Sequence, residues 1–561
     1  MKVVIIGGVA GGASAAARLR RLDENAEIVI LERSGYVSYA NCGLPYYVGG
    51  VIADKGKLTL QTPESFRARF AIDVRVRHEA IAIDRAAQTV TVRALDDGRT
   101  YAEHYDRLVL SPGAHAIVPN LPGVDSSRLF TLRTVEDAFA VHDAVERIGT
   151  RRATVVGGGF IGLEMAENLA ERGLDVVLIQ RDSHVLPILD EDMAALAHNT
   201  LREHGIDLRL NTNVTGFEET ETGISTHLEG QPSIESELVV LSVGVAPDSS
   251  LARAAGLELG LRGSIRVDDH MRTNDPFIYA VGDAVESTHA VTGAPALIAL
   301  AGPANKQGRI AADNICGIDR RFTGSQGSSV LKLFDLTIAA TGLTAKAAAT
   351  AGIDADSVVL SPANHATYYP GSESLVLKVL FERAGARIIG AQAIGGAGVD
   401  KRIDVLATAI RAGMDANDLA ELDLAYAPPY SSAKDPVNMA GFIIQNIVEG
   451  RVRHLDWERA LADTESLLLD TRTTGEYQRG TVQESTHIPL DELRERLDEI
   501  PRDRRINVFC QSGLRSYIAC RILAQHGFDV ANVDGGYGFY EQTMLDRRVQ
   551  TREVGDCGVP A

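Results

Sequence analysis

The stretch Lys2-Val-Val-Ile-Ile-Gly-Gly-Val-Ala-Gly-Gly12 decides the fold. A β-branched run ends in glycines, an Ala/Leu/Arg helix follows, and a second strand is expected over Glu27 to Glu32. That is a strand, turn, helix, strand unit. The same plan returns at Thr154-Val-Val-Gly-Gly-Gly-Phe-Ile-Gly-Leu-Glu164, with a helix to about Arg172, then Gly173 and a strand from Asp175 to Gln180. Two such units predict an α/β protein with two Rossmann-like dinucleotide-binding domains.

The glycines carry the first chemistry. Gly157-X-Gly159-X-X-Gly162 follows a strand and opens a helix, the context in which backbone N–H groups and a helix N-terminus cradle a pyrophosphate. Phe160, Ile161 and Glu164 belong to the same turn. The strand end that faces the adenine ribose holds Gln180 followed by Arg181, where NAD-specific sites usually carry an acid, so NADH and NADPH both stay open. In the first unit Gly7, Gly8, Ala10 and Gly11 surround Val9, which replaces the middle glycine, and Glu32 is placed to bond a ribose hydroxyl.

At 561 residues the chain exceeds one hydrophobic core. With 45% hydrophobic and 23% charged residues it has enough core material to exclude a disordered or coiled-coil chain. Its 75 acidic against 56 basic residues give a net charge of −19, which argues against nucleic acid as a partner. Cys42, Cys316, Cys510, Cys520 and Cys557 are too scattered for a disulfide framework and show no CxxC spacing, so a reducing compartment and no metal site are expected. The uncharged stretches Val3 to Ala17 and Ser287 to Asn305 are broken by glycines or by Pro295 and Pro303 and fall short of about 20 apolar residues. The first runs into Arg18, Arg20 and Arg21 rather than a cleavage site. A cytoplasmic protein without membrane contact is expected.

Further along, strand-like runs Val330 to Leu333 and Ser374 to Phe381 precede helices around Arg402 to Ala412 and Val437 to Val448, an α+β texture. The charged stretch Glu449 to Arg459 separates it from a new α/β segment opening at Leu467-Leu-Leu-Asp470. There Cys510-Gln-Ser-Gly-Leu-Arg515 lies between a strand and a helix, so its N–H groups can turn inward as an anion cradle. Cys-X4-Arg is the sulfurtransferase length, one residue shorter than a thiol phosphatase loop. Arg515 and the N–H groups are expected to lower the Cys510 thiol pKa and stabilise a persulfide.

Thr273-Asn-Asp-Pro-Phe-Ile-Tyr-Ala-Val-Gly-Asp283 resembles the second flavin fingerprint of the two-dinucleotide-binding-domain disulfide reductases, whose last Asp bonds the ribityl chain. Leu108-Val-Leu-Ser-Pro-Gly-Ala114 resembles their crossover between flavin and nicotinamide domains. The resemblance implies FAD in the first unit and NADH or NADPH in the second. It also points to Ser38-Tyr-Ala-Asn-Cys42-Gly-Leu-Pro-Tyr-Tyr47, where Tyr47 replaces the second Cys of a dithiol reductase. Cys42 therefore works with an external thiol or with oxygen chemistry. A lowered pKa near 6 would make about nine tenths of it thiolate at neutral pH.

These strings, with Gly302-Pro-Ala-Asn-Lys-Gln-Gly-Arg309, His365-Ala-Thr-Tyr-Tyr-Pro-Gly371 and Tyr426-Ala-Pro-Pro-Tyr-Ser-Ser-Ala-Lys-Asp-Pro436, resemble the coenzyme A disulfide reductases with a fused rhodanese domain, also described as NADH-dependent persulfide reductases. Asp470-Thr-Arg-Thr-Thr-Gly-Glu-Tyr477 and His487-Ile-Pro-Leu-Asp-Glu-Leu493 look like rhodanese, although Thr481 and Glu484 depart from its usual His and small residue. The implied domains are FAD-binding (1–115 and 250–325), NAD(P)H-binding (116–249), α+β dimerisation (326–450), a linker (451–460) and a C-terminal α/β rhodanese domain (461–561).

The implied site residues follow by position. Arg33, Asn41, Asp283 and Ala301 join the flavin set. Tyr368 and Tyr426 reach the partner subunit's Cys42 site in a homodimer. Arg18, Arg21, Ser38, Asn41, Asn305 and Lys434 line the coenzyme A channel. A basic residue expected after Thr62-Pro-Glu is Phe70, leaving Arg67 or Arg69 as substitutes. The expected reaction is reduction of coenzyme A disulfide, coenzyme A persulfide or polysulfide by NAD(P)H through Cys42, with Cys510 handling sulfane sulfur. Two alternatives stay open: an NADH oxidase or peroxidase cycling Cys42 through sulfenic acid, and a redox-sensing scaffold without turnover.

Overall fold

The computed structural model describes residues 1–147 and 150–555, the last five by backbone alone. It divides into two compact units, Met1–Ser183 with Gly205–Gly327, and His184–His204 with the chain from Ser328 on.

The first unit holds two copies of one plan. A parallel sheet runs in the order Ile278–Ala280, Arg107–Leu110, Lys2–Ile6, Glu27–Glu32, Asp73–Val76. A second runs Asp207–Arg209, Asp175–Ile179, Arg152–Val156, Leu238–Leu241, Leu129–Phe130. Continuous apolar strands follow from burial on both faces. Val3, Ile5, Ile28 and Ile30 pack against Ala15, Ala16 and Leu19 of the helix Ala10–Leu22. Val4, Ile6, Val29 and Leu31 fill the opposite face with Leu108 and Leu110.

Each sheet turns into its helix at a glycine in left-handed backbone, Gly7 at φ +93° and Gly157 at φ +110°. A Cβ there would stand 2.0 Å from Ser111 O and 2.4 Å from Ser242 O, so no other residue fits.

In the second unit an antiparallel sheet runs Ser329–Leu333, Leu336–Gly342, Ile388–Gly395, Val376–Glu382, Ala355–Leu360, with the helices Val399–Ala412 and Pro436–Val448. A five-stranded parallel sheet follows, ordered Arg453–Leu455, Val530–Val533, Ile506–Phe509, Leu467–Asp470, Thr486–His487.

Two expectations about boundaries change. The span 451–460 is not a free linker: Arg453–Leu455 pairs in parallel with Val530–Val533, and Trp457 is buried with its indole N–H donating to Gly536 O at 3.0 Å. The helix Glu191–Glu203, which the sequence places inside 116–249, belongs to the second unit. His198 is fully buried there against Asp546 at 2.9 Å, and Lys378 reaches Asp190 and Asp192 at 3.0 and 2.8 Å. Polar pairs of this kind carry no apolar periodicity, which is why the pattern missed them. Among the described residues no helix is long and apolar enough to cross a membrane.

Candidate active site

A cavity of about 540 Å³ opens in the first unit, lined by Gly7, Val9, Ala10, Gly11, Glu32, Arg33, Asn41, Cys42, Asp283 and Ala301 among others. Gly8 does its work from behind the wall: its N–H donates to Glu32 Oε2 at 2.9 Å, and Ser34 N–H reaches Oε1 at 3.0 Å. Burial pushes the Glu32 carboxyl up, partly opposed by these two backbone donors.

The second strand–turn–helix copy, also in the first unit, repeats this geometry. Gly158 N–H donates to Gln180 Oε1 at 2.9 Å, so Gln180 occupies the position of Glu32 without its charge. The helices Ala10–Leu22 and Phe160–Glu171 start at Val9 and Gly159 with no side-chain cap, unlike the helices capped by Thr62 and Thr134. Two uncapped N-termini behind glycine turns suit pyrophosphate groups. A Cβ on Gly159 would meet nothing within 4 Å, so that glycine is not demanded by the protein's own packing and leaves room for a ligand. Val9 is tolerated because its φ is −98°. Gly12, given no site role from the sequence, is the counterpart of Gly162: their Cβ atoms would lie 1.9 and 1.8 Å from Gly7 O and Gly157 O.

Cys42 sits in the short turn Asn41–Gly43 ahead of the helix Leu44–Val48 and borders the cavity. Tyr47 is buried, stacked on His142 with ring centroids 4.9 Å apart, so the second-cysteine position has become packing. The chain's own groups act against a lowered thiol pKa. Desolvation first, then the Glu164 charge, pushes Cys42 up, and Arg133 only partly opposes them. Glu164 is itself raised to about 7 by burial and accepts a hydrogen bond from Tyr46 Oη at 3.4 Å.

Arg133, which the sequence reading passed over, braces the site. Its Nη2 donates to Asp283 Oδ2 at 2.6 Å and its Nε to Ala114 O at 3.0 Å. The Asn41 amide faces Arg133 O at 2.9 Å and Nη1 at 3.0 Å. Thr131-Leu-Arg133 has no motif character, so only the fold reveals it.

A separate cavity of about 340 Å³ gathers Arg18, Arg21, Ser38 and Asn305 with Gln61, Phe66, Phe70 and Arg309. Arg18 Nε is held by Asp313 Oδ1 at 2.6 Å, and Ser14 Oγ donates to Asn305 Oδ1 at 2.5 Å. Asn41 lies in the larger cavity instead, and Lys434 is an exposed residue of the other unit. Neither Arg67 nor Arg69 lines this cavity; Arg309 does, four residues beyond Asn305 on one helix face. The (i, i+4) spacing was the available signal.

In the second unit the Tyr368 and Tyr426 hydroxyls lie 2.9 Å apart and both rings are exposed. Their shared hydrogen bond pushes the Tyr368 hydroxyl up.

Cys510 is fully buried at the foot of its loop, and its Sγ accepts Gly513 N–H at 3.1 Å. Arg515, the cation expected to lower the Cys510 thiol pKa, is itself paired: Nη1 and Nη2 are both bound to Glu476 at 2.7 Å. The departures at 481 and 484 are accommodated, since Thr481 Oγ1 donates to Asp470 Oδ2 at 2.9 Å and Glu484 takes φ +64°, where a small residue is the usual solution. Cys520 is buried, with its thiol pushed up by desolvation, and Cys316 is half-buried and shifted the same way. Cys557 lies outside the described residues.

The family described as pyridine nucleotide-disulphide oxidoreductase matches residues 1–308, and its dimerisation domain matches 328–436. A rhodanese-like domain matches 455–542. The coenzyme A disulfide reductase of Staphylococcus haemolyticus is 37% identical over 442 residues, covering 79% of this chain and 98% of that protein. The chain belongs to the coenzyme A disulfide reductase family of pyridine nucleotide-disulphide oxidoreductases. It is an oxidoreductase of the FAD- and NAD(P)H-dependent type.

Two solved structures extend the likeness through the C-terminal domain. The reduced Bacillus anthracis protein described as CoADR-RHD is 46% identical, with a TM-score of 0.95, and the match covers 97% of this chain and 98% of that one. An NAD-dependent persulfide reductase from A. fulgidus is 39% identical, with a TM-score of 0.92, covering 96% and 100%.

Proposed function

We propose that this family member reduces coenzyme A disulfide, coenzyme A persulfide or polysulfide with NAD(P)H, through Cys42 as its redox thiol. The observation that carries the reading is Cys42 in the wall of the cavity that also holds the Gly7 turn, Glu32 and Asp283. Bound FAD supplies the two-electron transfer from NAD(P)H.

The chain's own residues do the rest. Glu32 and the uncapped turn after Lys2–Ile6 hold the ribose and pyrophosphate of FAD; Arg133 keeps Asp283 and Asn41 aimed into the cavity. Gly157, Gly159, Gly162 and Gln180 serve the nicotinamide coenzyme in the same way. Arg18, Arg21 and Arg309 supply cations for the phosphates of a coenzyme A tail. The Cys42 thiolate attacks one sulfur of the substrate disulfide, a Cys42–S–S bond forms, and one coenzyme A thiolate leaves. Two electrons and a proton then return Cys42 to thiolate and release the second coenzyme A as thiol. With a persulfide the departing sulfur leaves as hydrogen sulfide.

Burial and the Glu164 charge both push the Cys42 thiol up, partly opposed by Arg133. Tyr368 and Tyr426, paired by one hydrogen bond, are suited to protonating a departing thiolate in the partner subunit's site, which makes a homodimer the working form. Cys510 takes up sulfane sulfur. The oxidase and scaffold alternatives leave the rhodanese-like domain without a task.

Anaerobic turnover with NADH and NADPH against coenzyme A disulfide, coenzyme A persulfide and polysulfide, scored for thiol and sulfide, tests the reading. Cys42→Ser should keep yellow flavin and lose all three reductions. Near-normal sulfide release from that variant would defeat it.

A further inference from the structure

Two guanidinium groups stand at the Cys510 loop, and both are neutralised inside the chain. Arg515 forks onto Glu476 with two contacts of 2.7 Å. Glu476 is also fixed by Thr473, whose N–H and hydroxyl donate to Oε2 at 2.9 and 2.7 Å. The Arg515 hydrogen bonds, ahead of the Thr473 contacts, hold the Glu476 carboxyl at about 2, so the pair is ionised at every working pH. Arg472 is buried and forks onto Asp470, with Nε to Oδ1 at 3.0 Å and Nη2 to Oδ2 at 2.7 Å, while its guanidinium lies 3.8 Å from the Tyr537 ring centroid.

What the loop keeps for a ligand is backbone and apolar surface. Gly513 N–H points at Sγ, at the start of the 12-residue helix Leu514–Gln525. Leu514, in the loop itself, is 59% exposed, and Ile518 follows one turn later on the same face. A helix N-terminus offers about half a positive charge, enough for a monoanionic sulfur and too little for a compact dianion that must leave water.

We propose that Glu476 sets the donor specificity of the Cys510 site, screening Arg515 so that the loop takes sulfur from organic persulfides and discriminates against inorganic dianions of the thiosulfate type. This rests on the sulfur-transfer reading of Cys510 given above. In the favoured step the Cys510 thiolate attacks the terminal sulfur of R–S–SH. The donor S–S bond breaks, a Cys510–S–SH bond forms, the proton stays on the transferred sulfur, and R–S⁻ departs with its apolar body against Leu514. No net oxidation or reduction occurs. With thiosulfate the same exchange would release sulfite, but the dianion would meet a cation already matched by a carboxylate.

The test compares kcat/KM of the holoenzyme for thiosulfate and for a small alkyl persulfide. Glu476→Gln should raise the thiosulfate-to-persulfide ratio about tenfold, since an unscreened Arg515 would attract the dianion. An unchanged or lower ratio overturns the proposal. Should the variant fail to fold, the wild-type salt profile decides. A thiosulfate kcat/KM that stays flat or rises between about 20 and 300 mM salt supports a screened site, whereas a steep fall reveals a free cation and overturns it. Cys510→Ser separates the two layers: it should lose transfer from both donors, and transfer surviving in it would defeat the sulfur-transfer reading itself.

Discussion

Replacing Glu164 with Gln should lower the pKa of Cys42. Glu164 sits one turn into Phe160–Glu171, with a carboxyl raised to about 7, and it is tied by Tyr46 Oη to the short helix that follows Cys42. At pH 6 it is about nine tenths neutral and at pH 8 about nine tenths charged, so a negative charge appears beside the thiol across the neutral range. Glu164 acts on the Cys42 thiol through its charge, for which a separation of about 10 Å is a working value. At an effective dielectric of about 20, one charge at that distance is worth about 1.7 kcal/mol, or roughly one pKa unit. The wild-type thiol should therefore titrate broadly with a high midpoint, and Glu164→Gln should titrate more steeply about one unit lower. Alkylation rates of Cys42 in the flavin-loaded protein from pH 6 to 10, read by peptide mass spectrometry, measure both curves. A midpoint that stays or rises in the variant would refute the electrostatic account of this thiol.

Arg133→Met should release Asp283 and Asn41 together and reduce flavin content, read as the ratio of absorbance at the flavin band to that of protein; full flavin content would show the brace to be dispensable. Mixing Cys42→Ser with Tyr426→Phe subunits should restore activity in mixed dimers, while a fully active monomer would contradict shared sites. His454, raised to about 10 by Asp534 and Asp356 against the opposing cost of burial, contributes stability that is complete below pH 6.5 and lost as pH climbs through about 10. Asp534 is itself pushed up by full burial, which offsets part of that contribution. The melting-temperature gap between wild type and His454→Gln should be widest near pH 6 and close towards pH 10.5; a gap independent of pH would remove the charge argument.

Much of this was legible in the chain because its elements obey strong local rules. The runs Lys2–Ile6 and Arg152–Val156, buried on both faces, end at glycines that their backbone angles require, so strand, turn and helix were visible together. Cys42 and Cys510 announced themselves by the residues around them. What escaped depends on distant pairing. Arg133 meets Asp283 150 positions away, Arg515 meets Glu476 39 away, and His198 finds Asp546 across 348. Nothing local marks such partners, and each changes the electrostatics that the motif alone suggested. The linker reading failed for a related reason: the charges of 451–460 flank an edge strand, and edge strands are often polar.

The central claim is that substrate sulfur becomes covalently attached to Cys42. Oxidised coenzyme A disulfide, added in slight excess to anaerobically prereduced enzyme and quenched in acid, tests it by mass spectrometry of the digested protein. The account predicts a peptide containing Cys42 heavier by one coenzyme A, and that the adduct disappears when NADH is in excess. An adduct confined to Cys510 or Cys316, or no adduct while disulfide is still being reduced, would contradict it.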